Sequence, residues 1–178
     1  LMDEVEHIRA ELQILLARYD FLVLSGGVSK GKFDYVPQVL EELGVTQLFH
    51  RVQQKPGKPF WFGYSPSTVV FALPGNPVST FMCVYRYVQP WLRASLGLAP
   101  LQPTYAVLEE TFHFKPNLTH FLQVRLRYAP NGICYARPLK GKGSGDLTNL
   151  NEVDGFLELS AESDTFEAGT AHPVWQFR

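Results

Sequence analysis

The chain has 178 residues, of which 46% are hydrophobic, and 16 basic and 17 acidic side chains give it a formal net charge of −1. A chain of this size and composition can bury a substantial core. The nearly balanced charge excludes a broad basic surface of the kind that binds nucleic acid or an anionic membrane. Any basic site must therefore be local.

The distribution of residues excludes two further classes of protein. No apolar run reaches the roughly 18 to 20 residues needed to cross a bilayer, and the first residues lack the pattern of a signal peptide. Cys83 and Cys134 are too few and too far apart for a zinc cluster or a disulfide framework. We therefore expect a cytoplasmic protein with reduced thiols, and neither nucleic acid nor membrane as a partner.

The first predicted elements alternate between helix and strand. Apolar residues at helical spacing predict a helix from Asp3, and the apolar run Phe21–Leu24 predicts a buried strand. A second helix is predicted over Asp34–Leu43, because its apolar residues share one face and Gly44 follows as a stop.

A glycine-rich segment, Ser-Gly-Gly-Val-Ser-Lys-Gly over residues 25–31, separates this strand from the second helix. Backbone N–H groups in such a turn, with a helix N-terminus behind them, can hold phosphate or oxyanion oxygens. The candidate binding residues are Ser25, Gly26, Gly27 and Ser29. The alternative is a tight turn that uses the glycines only for their backbone freedom.

Asp34 follows the glycine-rich segment closely. Its carboxylate is a candidate ligand for Mg²⁺ beside phosphate oxygens, because hard cations prefer oxygen ligands, and it is also a candidate for proton transfer. The alternative is a helix N-cap.

Three cations cluster in a chain that is otherwise nearly neutral. Arg51, Lys55 and Lys58 lie in and just before a Lys-Pro-Gly-Lys-Pro turn, which separates extended runs at 47–54 and 60–63. They are candidates for an anion clamp on a hairpin or crossover loop. A solvated basic loop is the alternative.

A second buried strand is predicted over Val69–Leu73, followed by a helix over 78–96 that Pro90 should bend. Between them lies a rigid loop of two prolines around a glycine and an asparagine: Pro74, Gly75, Asn76 and Pro77. A binding role and simple turn geometry remain equally open for this loop.

Strands alternating with helices predict an α/β domain over 1–97, with a partial doubly wound, mainly parallel sheet. Ligands bind beyond the carboxyl ends of strands in such sheets, where both candidate loops lie. After a proline-containing linker at 98–103, short strand patterns and a hairpin turn at 130–132 predict a small all-β, barrel-like domain over 104–178. Ser144 lies there in a Gly-Lys-Gly-Ser-Gly segment, which is either a surface loop or a flap over a ligand.

The order and spacing of these motifs are more specific than any one of them. The glycine-rich segment, Asp34, the Lys-Pro-Gly-Lys-Pro turn, the Pro-Gly-Asn-Pro loop and the later Gly-Ser-Gly closely resemble the molybdopterin molybdenumtransferases, relatives of the gephyrin E domain. The resemblance implies a Mg²⁺-assisted reaction in which adenylylated molybdopterin and molybdate give molybdenum cofactor and AMP. It also implies a homodimer for the full-length protein.

The same resemblance implies roles for individual residues. Asp34 matches an active-site aspartate, Lys55 matches the first lysine of the family's basic loop, and Asp3 stands where the family has another acidic residue. Pro74 and Pro77 match a cofactor-facing loop. Ser144 matches the serine of the family's Gly-Ser-Gly segment.

Family members carry further N-terminal domains and an earlier first strand, so the resemblance implies that this chain is a C-terminal fragment with little activity alone. Two other functions remain open. A molybdopterin adenylyltransferase has a similar α/β domain, but the β domain argues against it. A gephyrin-like peptide-binding scaffold is the second, and the anion-site residues argue against a purely structural role.

Overall fold

The computed structural model describes residues 2–28, 34–139 and 150–178. The helices are α1 (Met2–Arg18), α2 (Val36–Glu42), α3 (Pro77–Cys83) and α4 (Gln89–Ser95), with a π-helical segment at Val84–Val88. The strands are β1 (Phe21–Ser25), β2 (Thr46–His50), β3 (Gln54–Lys55), β4 (Trp61–Tyr64), β5 (Val69–Leu73), β6 (Thr104–Leu108), β7 (Phe112–His113), β8 (Thr119–Tyr128), β9 (Cys134–Pro138), β10 (Gly155–Leu159), β11 (Thr165–Phe166) and β12 (Ala171–Gln176). No helix in these described ranges is both long and apolar enough to cross a membrane.

The chain forms two compact units. The first unit is Leu1–Val52 with Gly57–Thr80, and the second is Gln53–Pro56 with Phe81–Arg178. The boundary between the two units therefore lies within α3, before the linker predicted at 98–103. The reason is that β3 and the residues after Thr80 make most of their contacts with the C-terminal strands. The assignment of evolutionary domains to 1–97 and 104–178 stays a prediction.

The first unit is an α/β structure built on a four-stranded sheet with the order β1-β5-β4-β2. Strands β1 and β5 are parallel, but β4 pairs antiparallel with both β5 and β2. The described sheet is therefore mixed, and the prediction of a mainly parallel sheet is wrong in this detail. The reason is local: the basic turn joins β2 and β4 as a hairpin, and a hairpin connection makes neighbouring strands antiparallel.

Both helices of the first unit bury one face against this sheet. Leu12 of α1, Leu40 of α2 and Trp61 of β4 belong to one buried cluster, and each is at most 3% exposed. The buried hydroxyl of Thr68 donates to carbonyls near the end of α1, since its Oγ1 lies 2.9 Å from both Leu16 O and Tyr19 O. The start of β5 is thereby fixed under the first helix.

The predicted bend at Pro90 takes the form of a π-helical segment directly before α4. Proline has no N–H with which to continue the helical ladder, and a single π turn is a common way to absorb that loss. The helical pattern is thus interrupted where the sequence predicted a bend.

The second unit contains a closed five-stranded barrel, in which β8, β10, β12, β6 and β9 pair in a ring and β9 pairs again with β8. Leu108, Val124, Ala136 and Leu157 fill its interior and are fully buried. The predicted small β domain is confirmed. The short strands β7 and β11, which pair with each other, were not predicted, because two-residue strands leave no periodic signal.

Candidate functional site

The two loops predicted to hold an anion lie side by side at one edge of the sheet in the first unit. Strands β1 and β5 are parallel neighbours with Ser25 opposite Leu73, so the segments that follow them leave from the same edge. The backbone N–H of Gly26 donates to Leu73 O at 3.0 Å, which continues the ladder into the loop. This adjacency follows the rule that predicted it for parallel strands.

Glycine is required at Gly27 and allows a close approach of the two loops at Gly75. Gly27 has φ of +72°, and a Cβ built on it would lie 2.6 Å from a side-chain carbon of Val36 in α2. A Cβ on Gly75 would lie 3.3 Å from the Cα of Gly26 in the other loop. The close approach leaves backbone rather than side chain at the surface between them, as an oxyanion cradle requires.

The loop from Pro74 to Pro77 is held by its own polar groups. Asn76 Oδ1 accepts hydrogen bonds from the backbone N–H and the hydroxyl of Ser79, each at 3.0 Å, and Pro77 begins α3. This is an Asn N-cap followed by proline at the first helical position, which is a favourable sequence for a helix start. The side-chain oxygen of Asn76 thus stabilises the loop and the start of α3.

A hydroxyl pair links the two loops. Thr80 Oγ1 donates to the carbonyl of Pro74, and Ser25 Oγ lies 3.4 Å from Thr80 Oγ1. Ser25 can therefore donate to Thr80 while Thr80 donates to Pro74, which satisfies all three groups in one chain of hydrogen bonds.

The basic hairpin is tied to the glycine-rich segment through a histidine. His50 Nε2 lies 2.9 Å from Val28 O, and since a carbonyl only accepts, this nitrogen carries the hydrogen. Beyond His50, Arg51 N donates to Phe60 O at 2.8 Å and Val52 N donates to Lys58 O at 2.9 Å. Both predicted cations of this hairpin, Arg51 and Lys58, are exposed and belong to the first unit.

Lys55, the third predicted cation, belongs to the second unit. It lies on β3, which pairs in parallel with β8 so that Lys55 is opposite His120. His120 Nδ1 is 3.1 Å from Lys55 O, and the Lys55 ammonium lies 5.5 Å from the ring centre of Phe114. The predicted three-cation clamp is thus divided between the two units.

Gln54, the residue before Lys55, is buried in a polar cluster of the second unit. Its amide accepts a hydrogen bond from the Tyr87 hydroxyl and donates to Cys83 Sγ at 3.7 Å. Burial raises the pKa of Cys83 and the pKa of Tyr87, each to about 12, so both groups are neutral at physiological pH. This cluster fixes β3 next to the lysine.

The two aspartates predicted as metal ligands, Asp34 and Asp3, lie in or near the helices of the first unit. Asp34 lies one residue before Tyr35, which is the N-cap of α2 and makes no side-chain capping hydrogen bond. Asp3 lies within α1, but its side chain is outside the described part, as are Ser29 and Ser144. Among the described ranges 2–28, 34–139 and 150–178, no group of three or more His, Cys, Asp or Glu side chains is arranged to hold a metal.

Sequence reasoning missed three residues that position the candidate site: His50, Thr80 and His120. The Asn76 and Ser79 spacing predicts a helix cap, and Thr80 is the next residue, so its proximity to the loop was inferable. The hydrogen bonds of His50 to Val28 O and of His120 to Lys55 O join residues that are 22 and 65 positions apart, so no local sequence pattern predicts them.

Two protein-family models match separate parts of the chain. Residues 1–94 match the family described as a probable molybdopterin binding domain, and residues 105–177 match the MoeA C-terminal region (domain IV). A molybdopterin molybdenumtransferase of Synechocystis is 44% identical over 177 residues, which cover 98% of this chain and 43% of that protein. Gephyrin of Dictyostelium discoideum is 37% identical over 107 residues, covering 51% of this chain and 15% of that protein.

A crystal structure of the molybdopterin biosynthesis moeA protein from Pyrococcus horikoshii superimposes with a TM-score of 0.72 at 26% identity. It covers 97% of this chain and 40% of that one. The chain therefore spans about two fifths of the length of the Synechocystis protein and of the Pyrococcus horikoshii protein. Because the first family match extends over 94 of 178 residues, the chain belongs to the molybdopterin binding domain family and is a relative of the molybdopterin molybdenumtransferases.

Proposed function

We propose that this chain supplies part of the active site of a molybdopterin molybdenumtransferase, which converts adenylylated molybdopterin and molybdate into molybdenum cofactor and AMP. The observation that carries the proposal is the pair of touching loops at the ends of β1 and β5, beside a hairpin with two exposed cations. Backbone donors and cations of this kind suit a substrate that carries a pyrophosphate, and they suit molybdate.

The contacts of the described loop residues, 25–28 and 74–77, are the main physical support for the proposal. Preorganised donors stabilise developing negative charge without having to reorient during the reaction. Gly27 and Ser29 would hold the oxyanion from one loop, and Ser25 and Gly26 would fix the start of that loop through their hydrogen bonds to Thr80 and Leu73. Pro74 to Pro77 would shape the pterin side of the cradle. Arg51 and Lys58 would neutralise phosphate charge, and Arg51 can make two parallel hydrogen bonds to a phosphate.

Mg²⁺ is part of this proposal, with Asp34 as its protein ligand. The donor chemistry fits, because Mg²⁺ is usually held by one or two carboxylates together with substrate phosphates, and does not need a cage of protein ligands. When bound it would polarise the phosphate oxygens of the substrate. Asp34 would orient the metal, and Asp3 is the proposed second carboxylate.

Lys55 is proposed as a catalytic cation that stabilises charge on the phosphate or molybdate, and Ser144 as a further substrate contact. The complete protein is proposed to be a cytoplasmic homodimer.

The test is molybdate- and Mg²⁺-dependent release of AMP by the complete gene product that carries these 178 residues. We expect Asp34→Asn to lower the rate by at least about a hundredfold, as expected when a group acting on the transition state is lost. Glu11→Gln, on the exposed face of α1, is the matched control and should retain full activity. Full activity of Asp34→Asn would overturn the assignment of the aspartate.

A ligand-binding arm separates the enzyme from a scaffold. AMP or molybdate should raise the melting temperature of the chain if the native state binds it. No AMP release and no stabilisation in a folded protein would contradict the transferase and favour a peptide-binding scaffold. ATP-dependent adenylylation of molybdopterin would instead identify an adenylyltransferase.

A further inference from the structure

His120, in strand β8 of the barrel, forms a hydrogen bond with the backbone carbonyl of Lys55. His120 Nδ1 is 3.1 Å from Lys55 O, and a carbonyl oxygen only accepts, so Nδ1 must carry the hydrogen. The neutral imidazole then has its lone pair on Nε2. Burial, which is the largest cause, and the nearby Lys55 charge lower the pKa of His120 to about 4, although the hydrogen bond to the Lys55 backbone acts in the opposite direction. The ring is therefore neutral at physiological pH and donates from a defined nitrogen.

The same imidazole is held by stacking. Its ring lies 4.2 Å from the Phe114 ring at an interplanar angle of 11°, and 5.5 Å from the Phe112 ring at 8°. Phe114 also lies under the Lys55 ammonium, 5.5 Å from its nitrogen, within the range of a cation–π contact. One aromatic ring thus contacts both the histidine that holds the lysine backbone and the charged end of the lysine.

This contact is an addition to the sheet ladder. Strand β3 has only two residues, and its pairing with β8 places Lys55 opposite His120. Thr119 N donates to Gln53 O at 3.0 Å one step earlier, and the buried Gln54 is anchored by Tyr87 and Cys83. The last step of the strand, at the exposed lysine, is secured by the imidazole.

We propose that His120 is a positioning residue for Lys55, through a neutral Nδ1–H donor to the lysine carbonyl and a stack on Phe114. The catalytic consequence rests on the proposed function, in which Lys55 acts on an anionic substrate. The histidine itself touches no substrate. Its role is to restrict where the lysine ammonium lies.

The variants that test this separate the donor from the stack. His120→Asn keeps an N–H near the position of Nδ1 and removes the ring, whereas His120→Phe keeps the ring and removes the N–H. His113→Phe is the control, because His113 is an exposed histidine of the neighbouring strand β7. We expect His120→Phe to lower kcat about tenfold with a smaller change in KM, His120→Asn to recover part of the loss, and His113→Phe to behave as wild type.

A second readout does not depend on activity. Amine labelling followed by mass spectrometry should show that His120→Phe changes the reactivity of Lys55 but not of Lys58, the exposed lysine at the other end of the turn. If the native protein released no AMP but Lys55 labelling still responded, the positioning would stand and the proposed function would fail. Unchanged labelling and unchanged kcat in an active enzyme would overturn the positioning.

The wild-type chain provides a test that needs no variant. Nitrogen-15 NMR of the histidine rings should find His120 neutral at pH 7, with the hydrogen on Nδ1 and Nε2 without one. A charged ring, or a hydrogen on Nε2, would overturn the proposal even if every variant failed to fold.

Discussion

The buried state of His120 predicts how the stability of the second unit depends on pH. Its pKa falls from the usual 6.5 to about 4 in the folded chain, mainly because burial disfavours the charged ring. Between these values the unfolded chain binds a proton that the folded chain does not, so the free energy of unfolding rises with pH. The stabilisation is complete above pH 6.5 and is lost as pH falls towards 4.

The difference of about 2.5 pKa units sets the magnitude. At about 1.36 kcal/mol per unit, the histidine contributes about 3 kcal/mol to the pH dependence between pH 6.5 and 4. That is a large share of the stability of an ordinary domain, about 5 to 15 kcal/mol. Carboxylates titrate in the same range, so the histidine is isolated by comparing the native chain with His120→Phe.

Hydrogen exchange in peptides from β8, measured by mass spectrometry between pH 4.5 and 7.5, gives the opening free energy of the strand that carries His120. We expect the native chain to lose more stability than His120→Phe as the pH falls, although the variant itself starts from a lower value. His172→Phe is a useful comparison, because partial burial also lowers the pKa of His172. Equal pH slopes for the native chain and His120→Phe would refute the reasoning.

Three further results are expected. Gly27→Ala should destabilise the chain more than Gly44→Ala in urea unfolding, because both have positive φ but only at Gly27 would the new Cβ meet a side chain, at 2.6 Å; equal losses would contradict the steric argument. Thr80→Val should weaken molybdate binding several-fold in calorimetry and cost about 1 kcal/mol of stability, since it removes the hydroxyl between the loops; unchanged affinity would separate that hydroxyl from binding. Cys134 should react with a thiol reagent at pH 8, whereas Cys83, which is buried and whose pKa is raised to about 12, should stay protected until the chain unfolds; equal labelling rates in the folded chain would contradict the burial of Cys83. The contribution of Cys83 to the free energy of unfolding should be complete below pH 9 and lost as the pH rises towards 12.

The sequence was most informative where a buried strand is a continuous apolar run. Strand β5 has the predicted bounds Val69–Leu73, and β1 extends the predicted run by one residue to Ser25. Because the two runs were expected to be parallel, their following loops were expected to meet, and they do. The adjacency of the two loops was thus predictable from the apolar pattern and one rule of topology.

The remaining features depend on long-range contacts that no periodicity encodes. The residues of β3 are Gln54, at the end of the extended run predicted over 47–54, and Lys55. Their pairing with Thr119 and His120, which no local pattern predicts, decides that this short segment joins the second unit. The π-helical form of the bend before Pro90 was likewise out of reach, since proline can also kink a helix without it. The hydrogen bond from His120 to the Lys55 carbonyl could not be predicted either, because the two residues are 65 positions apart in the sequence.

Three backbone carbonyls close to predicted anion contacts each accept a hydrogen bond from a side chain. The Pro74 carbonyl is held by Thr80, the Val28 carbonyl by His50 and the Lys55 carbonyl by His120, so in each case a side-chain donor restrains backbone next to a predicted anion contact. Because this backbone is already ordered in the folded protein, it loses little further conformational entropy when an anion binds. If these restraints matter for function, removing one should weaken anion binding without changing its salt dependence, whereas neutralising a cation should change both.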